Sequence, residues 1–145
     1  MFAVVRDAID VDALTNGVRT DACGAVVTFV GVVRERSDDD RSVTGLSYEA
    51  HETMAVAVFE AIAREARERF GMCEISVVHR VGDLNIGAVA VAVAVASAHR
   101  SAAFDACEYV IDELKARAPI WKQEYYVDGT REWIANDCRS PARSR

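Results

Sequence analysis

The sequence lacks paired cysteines, and this absence excludes the common metal and redox sites. Its four cysteines lie far apart, with none of the two-residue spacings that zinc or thiol-exchange motifs require. We interpret all four as reduced thiols: Cys23, Cys73, Cys107 and Cys138. His51 and His79 also have no ligand-like partners at helical or strand spacing. We therefore predict no metal site.

The sequence also has no excess of positive charge and no long hydrophobic run. Lys and Arg number 17 against 23 Asp and Glu, and the net charge of -6 argues against general binding of nucleic acid or an anionic membrane surface. The longest apolar run, residues 88–96, is about half as long as a membrane-spanning helix. The charged first dozen residues have no apolar core of a signal peptide. We expect a soluble, cytoplasmic protein.

Prolines and glycines are few, and no repeat or linker divides the chain. There are two prolines and eight glycines in 145 residues, of which 51% are hydrophobic. This length and composition are typical of one domain with a substantial core. We predict a single domain over residues 1–145, in which residues 136–145 form a flexible polar tail.

Apolar and β-branched runs predict five strands in the first 96 residues, at 2–5, 24–34, 46–50, 74–81 and 88–96. The last run alternates alanine and valine, so both faces are apolar and the strand is expected to be central. Its alanine face is expected to receive the helix that follows. Another helix is predicted over residues 53–70, ending at Gly71, with an inner face of Met54, Val58, Ile62 and Ala66.

The stretch from Ser97 to Lys122 contains an apolar stripe that predicts a second main helix, which Pro119 ends. The stripe consists of Phe104, Cys107, Ile111, Leu114 and Ala118. Two strand-like runs then flank Asp128-Gly129, a dipeptide favoured in two-residue hairpin turns. Together these elements predict an α+β fold, with an antiparallel sheet packed by two main helices.

Four cation-capable side chains mark the same stretch as a candidate site. His99 and Arg100 begin the helix, where free backbone N–H groups and the helix dipole favour an anion such as phosphate. Lys115, in the last turn, is ordinarily a structural residue, because it complements the dipole. Its direction lies about 20° from that of Phe104, however, so we expect it to border the packed face and to be partly desolvated. Lys122 follows on the next strand.

Arg34 is a fifth candidate, at the end of a buried strand and before the charged loop ERSDDDRS. Either it is an ordinary strand-end arginine, or it binds substrate beside a mobile loop. The composition of the loop is compatible with both interpretations.

Several segments occur in a fixed order and at characteristic separations: GAVVTFVGVVR, LSYEA, HRVGDLNIG, ASAHRSAAFDACEYVIDELK and APIWKQE. Together they resemble one enzyme family, the large, catalytic subunit of molybdopterin synthase, and the resemblance runs from about Gly24 to Trp133. It implies an α/β-hammerhead fold and an enzyme of molybdenum cofactor biosynthesis. Such an enzyme adds two dithiolene sulfurs to cyclic pyranopterin monophosphate, without a bound metal or organic cofactor. The implied sulfur donor is the C-terminal Gly-Gly thiocarboxylate of a small ubiquitin-like subunit, one at each end of a central dimer of large subunits.

The resemblance also implies roles for individual residues. Lys115 and Lys122 match the family's two active-site lysines, and the implied substrate-binding set is Val32, Val33, Arg34, His99, Arg100, Lys115, Lys122, Gln123 and Glu124. Fixed cations suit a phosphate ester, an anionic donor and a developing oxyanion. The chain departs from the family pattern at His51, Ala88 and Gln123, and the last departure weakens the assignment of substrate contacts at Gln123.

Two non-catalytic alternatives are compatible with the same cations. A protein-binding module would receive a ubiquitin-like tail without chemistry, and a phosphate sensor would need Arg100 but not two lysines. The paired lysines favour the enzyme. The aromatic hairpin around Tyr125, Tyr126 and Trp133 additionally predicts a dimer interface.

Overall fold

The computed structural model describes residues 1–71 and 73–135. The predicted tail, with Cys138, lies outside these residues. The elements in chain order are β1 (Phe2–Val5), α1 (Val11–Gly17), β2 (Ala25–Val32), β3 (Val43–Ala50), α2 (Glu52–Phe70), β4 (Cys73–Arg80), β5 (Gly82–Asn85), β6 (Val89–Ser97), α3 (Arg100–Arg117), β7 (Ile120–Tyr126) and β8 (Arg131–Ile134). The α+β prediction is confirmed, with a short additional helix, α1.

The strands form two four-stranded sheets. The first has the order β1-β4-β6-β2, in which β1 and β4 are parallel and the other pairs are antiparallel. The alternating Ala/Val strand β6 lies between β4 and β2, as predicted from its two apolar faces. The parallel pair was not predicted, because β1 and β4 are far apart in the chain.

The second sheet is antiparallel and has the order β5-β3-β7-β8. Its strand β5 lies between the predicted strands 74–81 and 88–96, in a segment for which no strand was predicted. The β7–β8 hairpin has a three-residue loop rather than the predicted two-residue turn, since the Tyr126 N–H donates to the Thr130 carbonyl across it. Gly129 supplies the positive φ of 86° that a three-residue hairpin loop needs at its last position.

Two helices cover one face of the first sheet. The core there joins α2 and α3 to the valine face of β6, namely Val91, Val93 and Val95. The alanine face packs instead against α1, through Leu14 and Val18. The prediction that α3 would pack on the alanines was therefore wrong, because the short helix α1 covers that side.

Polar contacts fix the C-terminal half of α3 against α2. Arg117 donates to both carboxylate oxygens of Glu65, at 2.6 and 3.0 Å, and the Tyr109 hydroxyl donates to the same carboxylate. The guanidinium also holds the pKa of Glu65 below its usual value. The end of α3 that carries Lys115 is thereby tied to the neighbouring helix.

Two predicted core residues lie at the surface. Phe104 is 61% exposed and Met54 is 54% exposed. The buried stripe of α3 runs through smaller residues, Ala103, Ala106, Cys107, Val110, Ile111 and Leu114, and that of α2 through Ala55, Phe59, Ile62, Ala63 and Ala66. Alanines allow each helix to pack closely against its neighbours. The buried face of each helix is therefore rotated away from the face that its larger apolar side chains predicted.

Candidate active site

A cavity of about 360 Å³ lies between the end of β2, the C-terminal end of α3 and the inner faces of β3 and β7. Its apolar walls come mostly from the core of the fold: Phe29, Val33, Leu46, Val91, Ile111, Leu114 and Ile120. Its charged residues are four cations and two carboxylates: Arg34, Arg36, Lys115, Lys122, Asp38 and Glu124. The cavity is thus locally cationic in a chain whose net charge is -6.

The turn after α3 brings the two predicted lysines together. Ala118 leaves the helix with φ -69° and ψ 135°, Pro119 follows, and β7 starts at Ile120. The chain therefore reverses within a few residues, and both Lys115 and Lys122 line the cavity. Pro119 fits this position because it lacks the N–H that a continuing helix would need.

The two lysines differ in burial. Lys115 is exposed, so the expectation that it is partly desolvated was wrong. The Lys122 side chain retains only 20% of its accessible surface. A lysine on the inward face of a strand is enclosed by the neighbouring strands and by α3, whereas a lysine in a last helical turn extends past the helix end.

Lys122 is held by a chain of polar contacts along β7. Its Nζ lies 3.3 Å from Glu124 Oε1, and the Tyr126 hydroxyl donates to Glu124 Oε2 at 2.8 Å. The Arg41 guanidinium stacks 3.5 Å from the centroid of the Tyr126 ring and pairs with Glu132 at 2.9 Å. Burial, followed by the Glu124 carboxylate, raises the pKa of Tyr126, so its hydroxyl remains a donor. The Glu124 carboxylate therefore holds the ammonium of Lys122 in place, and the Tyr126 hydroxyl holds that carboxylate.

Arg34 lies just past β2, where the first sheet meets the charged loop. Its guanidinium donates to Asp38 at 2.7 Å, and both side chains are exposed. The two valines before it also line the cavity, Val32 as an exposed and Val33 as a buried residue. The loop thus places Arg34 at the rim of the cavity, paired with a carboxylate.

His79 is a cavity residue that sequence reasoning missed. It lies on the inward face of β4, is only 5% exposed, and meets the edge of the Tyr48 ring with centroids 4.8 Å apart. Burial above all, with a smaller contribution from the Lys115 charge, lowers its pKa to about 4. The imidazole is therefore neutral at physiological pH. The signal available was strand alternation, which places His79 on the same face as the apolar residues Ile75 and Val77.

The cavity does not include three predicted site residues. Gln123 lies between Lys122 and Glu124 on β7, so strand alternation puts it on the opposite face of the sheet, level with Trp133. His99 and Arg100 stand exposed at the N-terminal end of α3. Arg100 and Lys115 are separated by about 22 Å along the helix axis, at about 1.5 Å per residue. One chain alone does not bring them to the same small ligand.

The described part of the chain has no helix long and apolar enough to cross a membrane. Within the same residues, no three His, Cys, Asp or Glu side chains cluster as metal ligands would. The ionisable side chains that line the cavity are its cations, its two carboxylates and one neutral imidazole. Fold and cavity together define a class: an α+β protein with an apolar-walled, cation-rimmed cavity suited to a small anionic substrate.

Comparison with known proteins gives the family within this class. The family model described as MoaE protein matches residues 4–117. The molybdopterin synthase catalytic subunit of Bacillus subtilis is 38% identical over 141 residues, which cover 97% of this chain and 88% of that protein. The chain belongs to the MoaE protein family, as its motifs predicted.

Solved structures agree with this assignment. Molybdopterin synthase from Staphylococcus aureus matches with a TM-score of 0.88 and 36% identity, covering 92% of this chain and 96% of that one. A complex of subunits 1 and 2 of the molybdopterin-converting factor from Helicobacter pylori matches with a TM-score of 0.71 and 26% identity, covering 95% of this chain and 91% of that one. The predicted family, fold class and enzymatic role in molybdenum cofactor biosynthesis are confirmed.

Proposed function

We propose that the cavity binds cyclic pyranopterin monophosphate and accepts the C-terminal Gly-Gly thiocarboxylate of a small ubiquitin-like subunit. Two sulfur transfers then convert the substrate to molybdopterin, in the cytoplasm. The observation that carries this proposal is the convergence of four cations on an apolar-walled cavity in an acidic chain. Relatives named molybdopterin synthase catalytic subunit, and the two-subunit Helicobacter pylori complex, support a reaction shared between two kinds of chain.

Lys122 is our candidate for stabilising the oxyanion. Water attacks the carbonyl carbon of the small subunit's C-terminus while the transferred sulfur is bonded to the substrate, and negative charge develops on the carbonyl oxygen. The carbon–sulfur bond then breaks, the sulfur stays on the substrate as a thiolate, and the C-terminus leaves as an ordinary carboxylate. A fixed, partly desolvated ammonium stabilises the developing charge most effectively. Lys122 meets both conditions through its 20% exposure and its contact with Glu124. Because Tyr126 holds the far oxygen of Glu124, little reorganisation is needed as the charge forms.

Lys115 and Arg34 act nearer the rim of the cavity. Lys115 is exposed on the last turn of α3 and is free to follow a leaving group or to donate a proton to it. Arg34 exchanges its Asp38 partner for the anionic substrate. The adjacent Val32 and Val33 pack against the same ligand.

A second copy of the chain supplies His99 and Arg100. The length of α3 keeps them away from Lys115 of their own chain, so a phosphate held by Arg100 beside these lysines requires a dimer. An exposed aromatic face on the second sheet, Trp121 and Trp133, is available for such an association. Tyr126, first expected in this patch, is buried inside the chain. Gln123 lies on the exposed aromatic face, so any contact of Gln123 with substrate also depends on assembly.

The decisive experiment mixes the purified protein with a thiocarboxylated small subunit and the cyclic substrate, and measures dithiolene product in a single turnover. Product should form with the parent chain and not with a small subunit ending in an ordinary carboxylate. The variant Arg19→Ala removes an exposed cation outside the cavity and should react like the parent. Tight binding of the small subunit without any product would instead favour a protein-binding module.

A further inference from the structure

His79 is the buried polar group of the cavity that the proposed sulfur transfer does not use. It lies on β4 in the first sheet, and its imidazole reaches the wall of the cavity beside Tyr48 of the second sheet. The neighbouring wall residues are apolar, notably Ile111 and Leu114 of α3. A polar atom in such a place is costly unless it has a partner.

The tautomer of this histidine follows from one contact. Nδ1 lies 2.8 Å from the backbone carbonyl oxygen of Arg80. A carbonyl only accepts, so Nδ1 carries the hydrogen and Nε2 has a free lone pair. The edge-on contact with Tyr48, at an interplanar angle of 79°, limits rotation of the ring. His79 is thus a fixed hydrogen-bond acceptor.

The free acceptor opens on the cavity. Among residues 1–71 and 73–135, no hydrogen bond to Nε2 is formed, and no fully enclosed side-chain nitrogen or oxygen is left without a partner. An Nε2 atom that is neither paired nor fully enclosed is reachable from outside the packed core, and His79 lines the cavity described above. Its partner is therefore expected to come with the ligand.

The remaining polar side chains around the cavity constrain what this partner is. Lys115 and Lys122 suit the anionic part of a ligand, whereas the lone pair of a neutral imidazole accepts from an N–H or O–H donor. Burial and the charge of Lys115 keep His79 neutral, with a pKa of about 4, so its accepting role persists across physiological pH. The arrangement complements a ligand with N–H groups at one end and an anion at the other.

We propose that Nε2 of His79 accepts a hydrogen bond from a ring N–H of the substrate, and so sets which end of the heterocycle enters the cavity. The ring then lies against Ile111, Leu114 and Tyr48, with its phosphate ester toward the cationic rim. This proposal rests on the proposed function, because it concerns the same substrate. It adds a residue that orients the substrate, in contact with the ring rather than with the phosphate or the thiocarboxylate.

The first test is nitrogen NMR of the full-length protein labelled with ¹⁵N-histidine and titrated with the cyclic substrate. Acceptance of a hydrogen bond should move the Nε2 resonance of His79 upfield as the site saturates, while its Nδ1–H resonance stays in place. Saturable binding with an unchanged Nε2 resonance would overturn this inference and leave the proposed function intact. Absence of any binding by the parent protein would refute both.

The second test is calorimetry on matched variants. His79→Leu removes the acceptor, and substrate affinity should fall about tenfold, the usual scale for one hydrogen bond. His79→Gln keeps an oxygen acceptor near the position of Nε2 and should recover part of that loss. Affinity for the small subunit should be unchanged in both, provided that thermal melts show folded protein. His51→Asn keeps the α2 N-cap acceptor outside the cavity and serves as control. Equal substrate affinity in His79→Leu and the parent would contradict the proposal.

Discussion

Acid should destabilise this protein through His79, and the size of the effect follows from its burial. The imidazole titrates near pH 6.5 in an unfolded chain and near pH 4 in the folded one. Between these values the unfolded state binds more protons, so the free energy of unfolding decreases as the pH falls. Linkage gives a loss of about 2 kcal/mol between pH 8 and pH 5, and about 3 kcal/mol once the pH is below both pKa values.

Urea unfolding of the parent and of His79→Gln, at equal protein concentration and without ligand, isolates this contribution. Other titrating groups are common to both proteins, so the difference between their unfolding free energies should change by about 2 kcal/mol from pH 8 to pH 5. The parent should lose stability relative to the variant. His99→Gln, which removes an exposed imidazole, should follow the parent. Parallel curves for the parent and His79→Gln would refute the claim that the buried ring remains neutral.

Three further predictions concern the reaction and its assembly. Lys122→Ala should slow single-turnover product formation roughly a hundredfold or more, and more than Lys115→Ala does; a near-normal rate in both would reject the catalytic assignment. Lys115→Ala should melt like the parent because that side chain is exposed, whereas Lys122→Ala should fold but melt lower because it leaves the buried Glu124 carboxylate without its ammonium. Arg100→Ala should weaken substrate binding in calorimetry more than it weakens binding of the small subunit, and the reverse pattern would move Arg100 to the protein interface. Light scattering of the isolated protein at micromolar concentration should give a dimer mass, and a monomer mass would remove the source of a second-copy Arg100.

Local sequence patterns predicted the helices well but not the direction of their buried faces. The stripe through Cys107, Ile111 and Leu114 is buried as expected, because period 3.6 is a property of the helix itself. Phe104 is exposed because the helix turns its alanines toward the sheet, and how closely a helix packs depends on residues remote in sequence. In the same way, the alanine face of β6 was suitable for close packing, but its pattern did not reveal that α1 would occupy it.

The part of the candidate site that could be predicted from sequence is the part formed by residues close together in the chain. Lys115 and Lys122 meet because Pro119 ends α3 and the chain turns at once into β7, an event encoded within eight residues. His79 was missed because its surroundings depend on the contact between β4 in the first sheet and Tyr48 in the second sheet. Long-range contacts of this kind leave little trace in one sequence beyond a polar residue in an apolar run.

The two lysines differ in burial, and this difference suits them to different roles in the proposed reaction. Helical geometry placed Lys115 within about 20° of an assumed core residue, but that residue, Phe104, is itself exposed, so the inference of desolvation fails with it. Nothing in the sequence indicated that Lys122 is desolvated. The alternation of β7 nevertheless places its side chain on the inward face together with that of Glu124. An ammonium held by a buried carboxylate is preorganised, whereas an exposed one is mobile. We therefore propose that Lys122 stabilises the developing charge and that Lys115 donates a proton. A greater loss of rate in Lys122→Ala than in Lys115→Ala would support this division.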